Sequence, residues 1–205
     1  MRKIIVTTFV SLDGVMQAPG GPEEDTNSGF SFGGWMPPFA DETTGAAIQE
    51  IYGQPYELVL GRKTYDIFAA FWPRVTDPKH PIGSVFNRVT KYVASRAKPK
   101  LEWHNSQLLG EDVVGALRKL KSADGPTLLV VGSSDFLQTL WRNQLVDELK
   151  LLTFPVVLGK GKRLFGDGAT PGGLKLVKSL TSSTGAIIAY YVADGAVKTG
   201  SFAQP

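Results

Sequence analysis

Gly61, Arg62, Lys63 and Thr64 form the segment best equipped for chemistry, because they follow the strand-like run 56–60 directly. A helix that begins after a glycine exposes unpaired backbone N–H groups, and no Cβ keeps an anion away from them. Arg62 adds a bidentate donor and Thr64 a hydroxyl donor. The segment predicts a phosphate site. The alternative is a solvated helix start with ordinary surface charge.

Ser95 and Arg96 follow a second predicted strand, 91–94. A hydroxyl next to a guanidinium suits a phosphate monoester, such as the 2′-phosphate that distinguishes NADPH from NADH. The pair therefore predicts a second contact with a nucleotide.

A third junction consists of Gly132, Ser133 and Ser134 after the apolar run 127–131. Small residues at a helix start let a pyrophosphate come close to the backbone amides. Ligands of open α/β sheets bind outside the carboxyl ends of the strands, where such turns lie. Three turns across one sheet predict a site of dinucleotide length.

The periodicity of apolar residues predicts the elements that must position these turns. Predicted strands cover 2–10, 56–60, 91–94, 101–104, 127–131 and 147–154, and an antiparallel hairpin joins 174–180 to 186–192. Predicted helices cover 41–52, 61–71, 84–89 and 111–120, and a further helix begins near 133. Alternating strands and helices that close with a hairpin predict a three-layer α/β/α fold with a mixed sheet.

A long loop rich in glycine and proline, residues 11–38, separates the first strand from the first helix. Loops of this length inside a compact domain are usually functional lids or linkers. Its aromatic residues favour a lid that packs on a neighbouring surface, because a free linker would not carry them. Trp35 and Phe39 are candidates for an aromatic wall against a flat heterocycle, and ordinary core packing is the alternative.

Length and composition limit the class of protein. The 205 residues suffice for one full core, so we expect a single domain over 1–195 and a disordered tail over 196–205. The net charge of +3 comes without any long run of like charges, which argues against nucleic acid as a partner. No stretch is apolar enough for a membrane span or a secretion signal, so we expect a cytoplasmic protein.

Several kinds of active site lack their residues. The chain has no cysteine, and neither His80 nor His104 has a partner at metal-ligand spacing, so no metal is assigned. The G-x-G-x-x-G turn, the P-loop and the G-x-S-x-G elbow are also missing. Lys160, Lys162 and Arg163, in a glycine-rich loop after the 147–154 strand, are positioned to face a substrate phosphate.

The ordered set Leu-Gly-Arg-Lys-Thr-Tyr at 60–65, Ala-Ser-Arg at 94–96, Val-Gly-Ser-Ser at 131–134 and Asp-Glu-Leu at 147–149 resembles the dihydrofolate reductase fold. Ser-Leu-Asp-Gly at 11–14 and the segment 154–165 resemble more closely the C-terminal reductase domain of the bifunctional riboflavin-biosynthesis deaminase/reductase and its stand-alone relatives. The likeness covers about residues 2–193. The deaminase motifs H-x-E and P-C-x-x-C do not occur.

The resemblance implies an NADPH-dependent reductase, with the coenzyme held by the three junctions described above. The implied substrate is a small heterocycle of the pterin or ribosylaminopyrimidine class, so the activity resembles that of dihydrofolate reductase or of 5-amino-6-(5-phosphoribosylamino)uracil reductase. Folate reductases carry three glycines where this chain has Gly132, Ser133 and Ser134. The family also implies a homodimer, for which residues 174–192 would offer a surface. A non-catalytic nucleotide-binding or interaction module on the same fold is the alternative.

Hydride transfer needs one proton, and a carboxyl group beside the nicotinamide can supply it. The resemblance indicates Asp41 first, because folate reductases carry their single acid at about this position. Its alternative role is a helix N-cap, and the neighbouring Glu42 adds a further choice. Asp13 is the second candidate, with a turn residue before Gly14 as its alternative role.

Overall fold

The computed structural model of the protein describes residues 1–202. The strands are β1 (Ile4–Ser11), β2 (Tyr56–Gly61), β3 (Lys91–Ala94), β4 (Ser106–Leu108), β5 (Thr127–Val130), β6 (Glu148–Phe154), β7 (Leu174–Thr181) and β8 (Ile187–Ala193). These eight strands of residues 1–202 form one sheet in the order β4-β3-β2-β5-β1-β6-β8-β7. The helices are α1 (Glu42–Tyr52), α2 (Arg62–Phe71), α3 (Gly83–Arg88), α4 (Val113–Ser122) and α5 (Ser134–Arg142).

The first six strands are parallel to one another, and β8 runs antiparallel between β6 and β7. The central strands are nearly continuous runs of Val, Ile and Leu because helices cover both faces of the sheet. Side chains of α1, α2 and α3 join one buried cluster, and side chains of α4 and α5 join a second. The predicted α/β/α class with a mixed sheet and a C-terminal antiparallel hairpin is confirmed.

The strand predicted at 101–104 is wrong, because that segment is a loop and the edge strand is β4. Trp103 is buried by contacts that do not depend on a strand. Its backbone N–H donates to the Tyr65 hydroxyl at 3.0 Å, and the Lys91 ammonium lies 4.3 Å from the centre of its ring. Asn105, with φ of 57°, then turns the chain into β4.

The long loop between β1 and α1 packs onto the protein. Val15, Phe30 and Trp35 are all buried, and Val15 bridges to Arg163 in the loop after β6. Gly33 is required in this loop because a Cβ there would lie only 2.6 Å from the carbonyl oxygen of Gly21. The segment 12–40 therefore forms a folded cover at the ends of β1 and β6.

Residues 196–202, in the tail, contain no regular helix or strand. The last three residues of the tail, 203–205, lie outside the described residues, and its disorder stays a prediction. Within residues 1–202, none of the helices has both the length and the apolar character needed to cross a bilayer.

Candidate functional site at the carboxyl edge of the sheet

The three strand ends singled out in the sequence lie side by side. Gly61, the last residue of β2, pairs in register with Ala94 of β3. On its other side, the Gly61 N–H donates to the carbonyl oxygen of Gly132 at 2.9 Å. The turns that follow β3, β2 and β5 therefore form one continuous edge.

The turns after β2 and β5 approach each other so closely that both need glycine. A Cβ on Gly61 would lie 2.8 Å from the Ser133 nitrogen and 3.0 Å from the Cβ of Phe136. A Cβ on Gly132 would lie 2.6 Å from the Thr64 hydroxyl oxygen. The missing side chains bring the first turns of α2 and α5 together at the protein surface.

Helices α2 and α5 both begin without a side-chain cap. Gly61 has no side chain to offer α2, and Ser133 makes no side-chain hydrogen bond to α5. By contrast, α1 and α4 are capped by the carboxylates of Asp41 and Asp112. The first-turn N–H groups of α2 and α5 are free of such a cap, and the positive ends of both helix dipoles meet at this point. This arrangement suits an anion that spans the two helices.

Each of the two cations in the first turn of α2 lies close to a carboxylate. The Nε of Arg62 donates to the two oxygens of Asp66 at 2.8 and 2.9 Å, and this bond raises the pKa of Arg62. The Lys63 ammonium lies 3.9 Å from the Asp25 carboxylate. Exposed i,i+4 pairs stabilise by only about 0.3–0.5 kcal/mol, so a phosphate can compete with Asp66 for Arg62.

Ser95 and Arg96 extend the edge beyond β3. The Ser95 hydroxyl accepts a hydrogen bond from the Ala97 N–H at 3.2 Å, which fixes the turn. Arg96 is exposed and forms no ion pair or side-chain hydrogen bond within residues 1–202. Its guanidinium is therefore available to a ligand that also lies on the Gly61 turn.

Asp13 lies at the end of β1 and joins two loops. Its carboxylate accepts the Ser11 hydroxyl at 2.6 Å and the N–H groups of Leu158 and Gly159 at 3.1 and 2.9 Å. The guanidinium of Arg163 lies 3.4 Å from the same carboxylate. The hydrogen bond from Ser11, helped by the backbone donors, lowers the pKa of Asp13. The group is thus held as a carboxylate.

Asp41 has the geometry of its alternative role, the N-cap of α1. Its carboxylate accepts the Thr44 N–H at 2.8 Å, and the Thr44 hydroxyl in turn accepts the Asp41 N–H at 2.9 Å. The other carboxylate oxygen accepts both the N–H and the hydroxyl of Ser183, each at 2.8 Å. These donors, the Thr44 N–H above all, hold the pKa of Asp41 far below its usual range.

The two aromatic residues proposed for a ligand wall pack on the last residue of β6. The ring centres of Trp35 and Phe39 lie 5.8 and 6.2 Å from that of Phe154. The Trp35 indole N–H donates to the carbonyl oxygen of Gln17 at 2.8 Å. Trp35 is buried in the core, whereas Phe39 stays partly accessible.

The structure adds a buried polar cluster between the cover and the loop after β6 that the sequence did not reveal. Asp25, only 7% exposed, pairs with the ammonium of Lys162. The buried side-chain amide of Gln17 donates to the Asp25 carbonyl oxygen at 2.9 Å and accepts the Lys162 N–H at 3.0 Å. Asp25 lies in a polar stretch without periodicity, so no spacing marks it as buried.

The predicted residues thus lie along one edge of the sheet. The first group is the junction residues, and the second is the candidate catalytic and aromatic residues. The junction residues occupy the ends of β3, β2 and β5; they are Gly61, Arg62, Lys63, Thr64, Ser95, Arg96, Gly132, Ser133 and Ser134. Asp13 follows β1, and Asp41 contacts the turn between β7 and β8. Because β1 adjoins β5, Asp13 lies nearer to the junctions in the strand order than Asp41 does. Trp35 and Phe39 lie against the end of β6.

Comparison with known proteins places the chain in a family. Residues 2–188 match the RibD C-terminal domain, and the chain belongs to this family. It is 26% identical over 200 residues to the uncharacterized protein YyaP of Bacillus subtilis strain 168, covering 95% of this chain and 96% of that protein.

Solved structures share the fold, and two of them illustrate the similarity. One is a diaminohydroxyphosphoribosylaminopyrimidine deaminase/5-amino-6-(5-phosphoribosylamino)uracil reductase of Thermotoga maritima, with a TM-score of 0.62, 15% identity, and coverage of 94% of this chain and 57% of that one. The other is the dihydrofolate reductase of Enterococcus faecalis complexed with NADP(H), with a TM-score of 0.57, 13% identity, and coverage of 94% and 96%.

Proposed function

We propose that this member of the RibD C-terminal domain family is an NADPH-dependent reductase of a small heterocycle. The substrate class is a pterin or a ribosylaminopyrimidine, as in dihydrofolate reductase or 5-amino-6-(5-phosphoribosylamino)uracil reductase. One observation carries the proposal. The uncapped starts of α2 and α5 meet at the interlocked glycines Gly61 and Gly132, at the edge where nucleotides bind in open sheets.

The residues of this edge fit a coenzyme that carries a pyrophosphate and a separate 2′-phosphate. The first turns of α2 and α5, with Thr64, Ser133 and Ser134, would bind the pyrophosphate. Ser95 and Arg96 would bind the 2′-phosphate, with Arg62 and Lys63 available between the two groups. When bound, NADPH supplies the hydride. The ends of β1 and β6, under the cover formed by 12–40, would receive the substrate, with Phe39 at its margin.

Two carboxyl groups are candidates for the proton donor of the proposed reaction. Asp13 and Asp41 are both held as carboxylates by the hydrogen bonds described above. Asp13 is the better placed, because it follows β1 next to the junctions. A lowered pKa suits a carboxylate that orients a substrate or a water molecule more than one that donates its own proton.

A titration tests coenzyme binding. We expect NADPH to quench the fluorescence of the four tryptophans in a saturable way. Arg96→Ala should weaken NADPH more than NADH, because only NADPH carries the 2′-phosphate, and Arg62→Ala should weaken NADPH. Arg118→Ala, an exposed arginine on α4, is the matched control. The proposal fails if no saturable response occurs, or if Arg62→Ala and Arg96→Ala both bind NADPH like the wild type.

A non-catalytic nucleotide-binding module is the second candidate function. The observation that favours it is the carboxylate state of both Asp13 and Asp41, which leaves neither ready to donate a proton. Tight NADPH binding without loss of the reduced-nicotinamide absorbance, tested with dihydrofolate and with 5-amino-6-(5-phosphoribosylamino)uracil, would support the module. Substrate-dependent loss of that absorbance would support the reductase.

We also propose that two copies of the chain associate through the hairpin of β7 and β8. Strand β7 is the last strand of the sheet, and several apolar side chains of the hairpin are exposed. An apolar strand at a sheet edge is a surface that another chain can cover.

A further inference from the structure

A groove of about 850 Å³ lies between α1 and α3, away from the coenzyme edge. Its floor includes Tyr56, the first residue of β2, whereas the proposed phosphate site begins at Gly61, the last residue of that strand. At about 3.3 Å per residue the two ends of β2 are roughly 16 Å apart. The groove therefore opens at the edge of the sheet where the strands begin, opposite the edge that carries the three junctions.

The walls of this groove are mostly apolar. They include Tyr52, Ile82 and Val85, together with Pro55 and Pro126. The rings of Tyr52 and Tyr56 lie 6.2 Å apart and both pack against Phe86 beneath them. Small-molecule sites have this volume and this mixture of apolar walls with a few polar groups. A lining that combines tyrosine and proline rings favours a ligand with an aromatic ring.

One buried donor in the groove lacks a partner. The Tyr56 hydroxyl is buried and makes no hydrogen bond within residues 1–202. Leaving such a group unpaired destabilises the folded protein. Burial raises the pKa of Tyr56, so the hydroxyl stays protonated and can donate.

The charge of the groove is positive. Arg88, at the end of α3, lines it and is exposed. No carboxylate of residues 1–202 pairs with its guanidinium, and no Asp or Glu is among the residues that line the groove. Arg88 and Tyr56 both line this groove. A single unpaired guanidinium without an acid nearby selects an anion.

We propose that this groove is a second ligand site, separate from the coenzyme edge, for a small planar aromatic molecule with one anionic group. Arg88 pairs with the anion, the apolar walls hold the ring, and the Tyr56 hydroxyl donates to an acceptor on the ligand. The site does not depend on the proposed reductase activity.

The experiment uses 8-anilinonaphthalene-1-sulfonate, an aromatic anion whose fluorescence rises in apolar sites, and the neutral N-phenyl-1-naphthylamine as its matched probe. We expect saturable sulfonate binding that Arg88→Gln weakens about tenfold or more, since hydrogen bonds to charged groups contribute about 1.5–3 kcal/mol. Arg118→Gln should bind like the wild type. The neutral probe should bind wild type and Arg88→Gln equally, and NADPH should not displace the sulfonate.

Tyr56→Phe tests the hydroxyl, because phenylalanine keeps the ring and removes the donor. We expect the variant to be at least as stable as the wild type in thermal unfolding and to bind the sulfonate several-fold more weakly. The proposal is overturned by displacement of the sulfonate by NADPH, by equal affinities in wild type and Arg88→Gln, by unchanged affinity in Tyr56→Phe, or by the lack of saturable binding. If the protein binds the sulfonate but does not bind NADPH, the second ligand site is supported and only the proposed reductase function is excluded.

Discussion

At the scale of single residues, Asp41 shows how one carboxylate can satisfy several donors at once. It caps α1 through Thr44 and holds Ser183 in the turn between β7 and β8. The same residue was expected to be a catalytic acid from the family resemblance, and that assignment stays a prediction. Sequence position alone could not separate the two roles, because an N-cap and a proton donor both require a carboxylate at the start of this helix.

Asp41→Asn distinguishes the two roles. Asparagine also caps helices well, so we expect the variant to fold with a modestly lower melting temperature. The pKa of Asp41 is lowered in the folded state from 3.8, so its ionic contribution is present above that pH and is lost as the pH falls through the lower folded value. The difference in melting temperature between wild type and variant should therefore shrink in acid.

Asp112→Asn is the control for this experiment, because Asp112 caps α4 with a bond inside its own helix only. We expect the loss of the Asp112 charge to leave the contact between α1 and the β7–β8 hairpin unchanged. If Asp41→Asn abolishes NADPH oxidation while its melting temperature equals that of the wild type, Asp41 is the proton donor and the structural role is secondary.

At the scale of elements, the strands were predictable where apolar runs are continuous. β1, β2, β3 and β5 lie within two residues of their predicted ends, since burial on both faces leaves a plain apolar signal. β4 was missed because Ser106, Gln107 and Leu108 at the sheet edge carry no such signal. The neighbouring Trp103 is buried although it lies in a loop, because its ring packs on Tyr65 and Lys91.

The candidate site was predictable only in part. Its turns follow strands, so their order along the chain and the rule of the carboxyl edge suffice to bring Gly61, Ser95 and Gly132 together. The buried Asp25 and the groove at Tyr56 were beyond sequence reasoning. Both depend on which side of a helix or loop another segment covers, and that is a property of the folded chain.

The interlock of the α2 and α5 turns is testable with Gly132→Ala. Its Cβ would meet the Thr64 hydroxyl oxygen at 2.6 Å, and overpacking of this kind costs roughly 1–3 kcal/mol. We expect a lower melting temperature and weaker NADPH binding. Gly45→Ala in α1 is the matched control, since no atom lies within 4 Å of its new Cβ. Replacing glycine by alanine within a helix stabilises by about 0.5–1 kcal/mol, so this variant should melt higher. Equal effects of the two changes would contradict the interlock.

At the scale of the whole molecule, the apolar surface of the hairpin predicts self-association. Leu176, Val177 and Ile187 are 49%, 64% and 46% exposed. We expect a dimer in sedimentation velocity, and we expect Leu176→Asp with Val177→Asp to convert it to a monomer with an unchanged far-ultraviolet circular dichroism spectrum. Phe71→Asp, at a residue 58% exposed at the end of α2, should leave the dimer intact. A wild-type monomer, or a dimer that survives the double change, would exclude this surface.

The position of β1 in the middle of the sheet has a consequence for synthesis on the ribosome. This strand is the first to emerge, yet its partners are β5 and β6, whose paired residues begin at Leu128 and Glu148. Contacts so distant along the chain form slowly, because long loops must close first. β1 therefore lacks both partners until the chain has been synthesised as far as Val130, and it lacks β6 until Phe154 has followed. Binding by a chaperone during that interval would protect the apolar strand from aggregation.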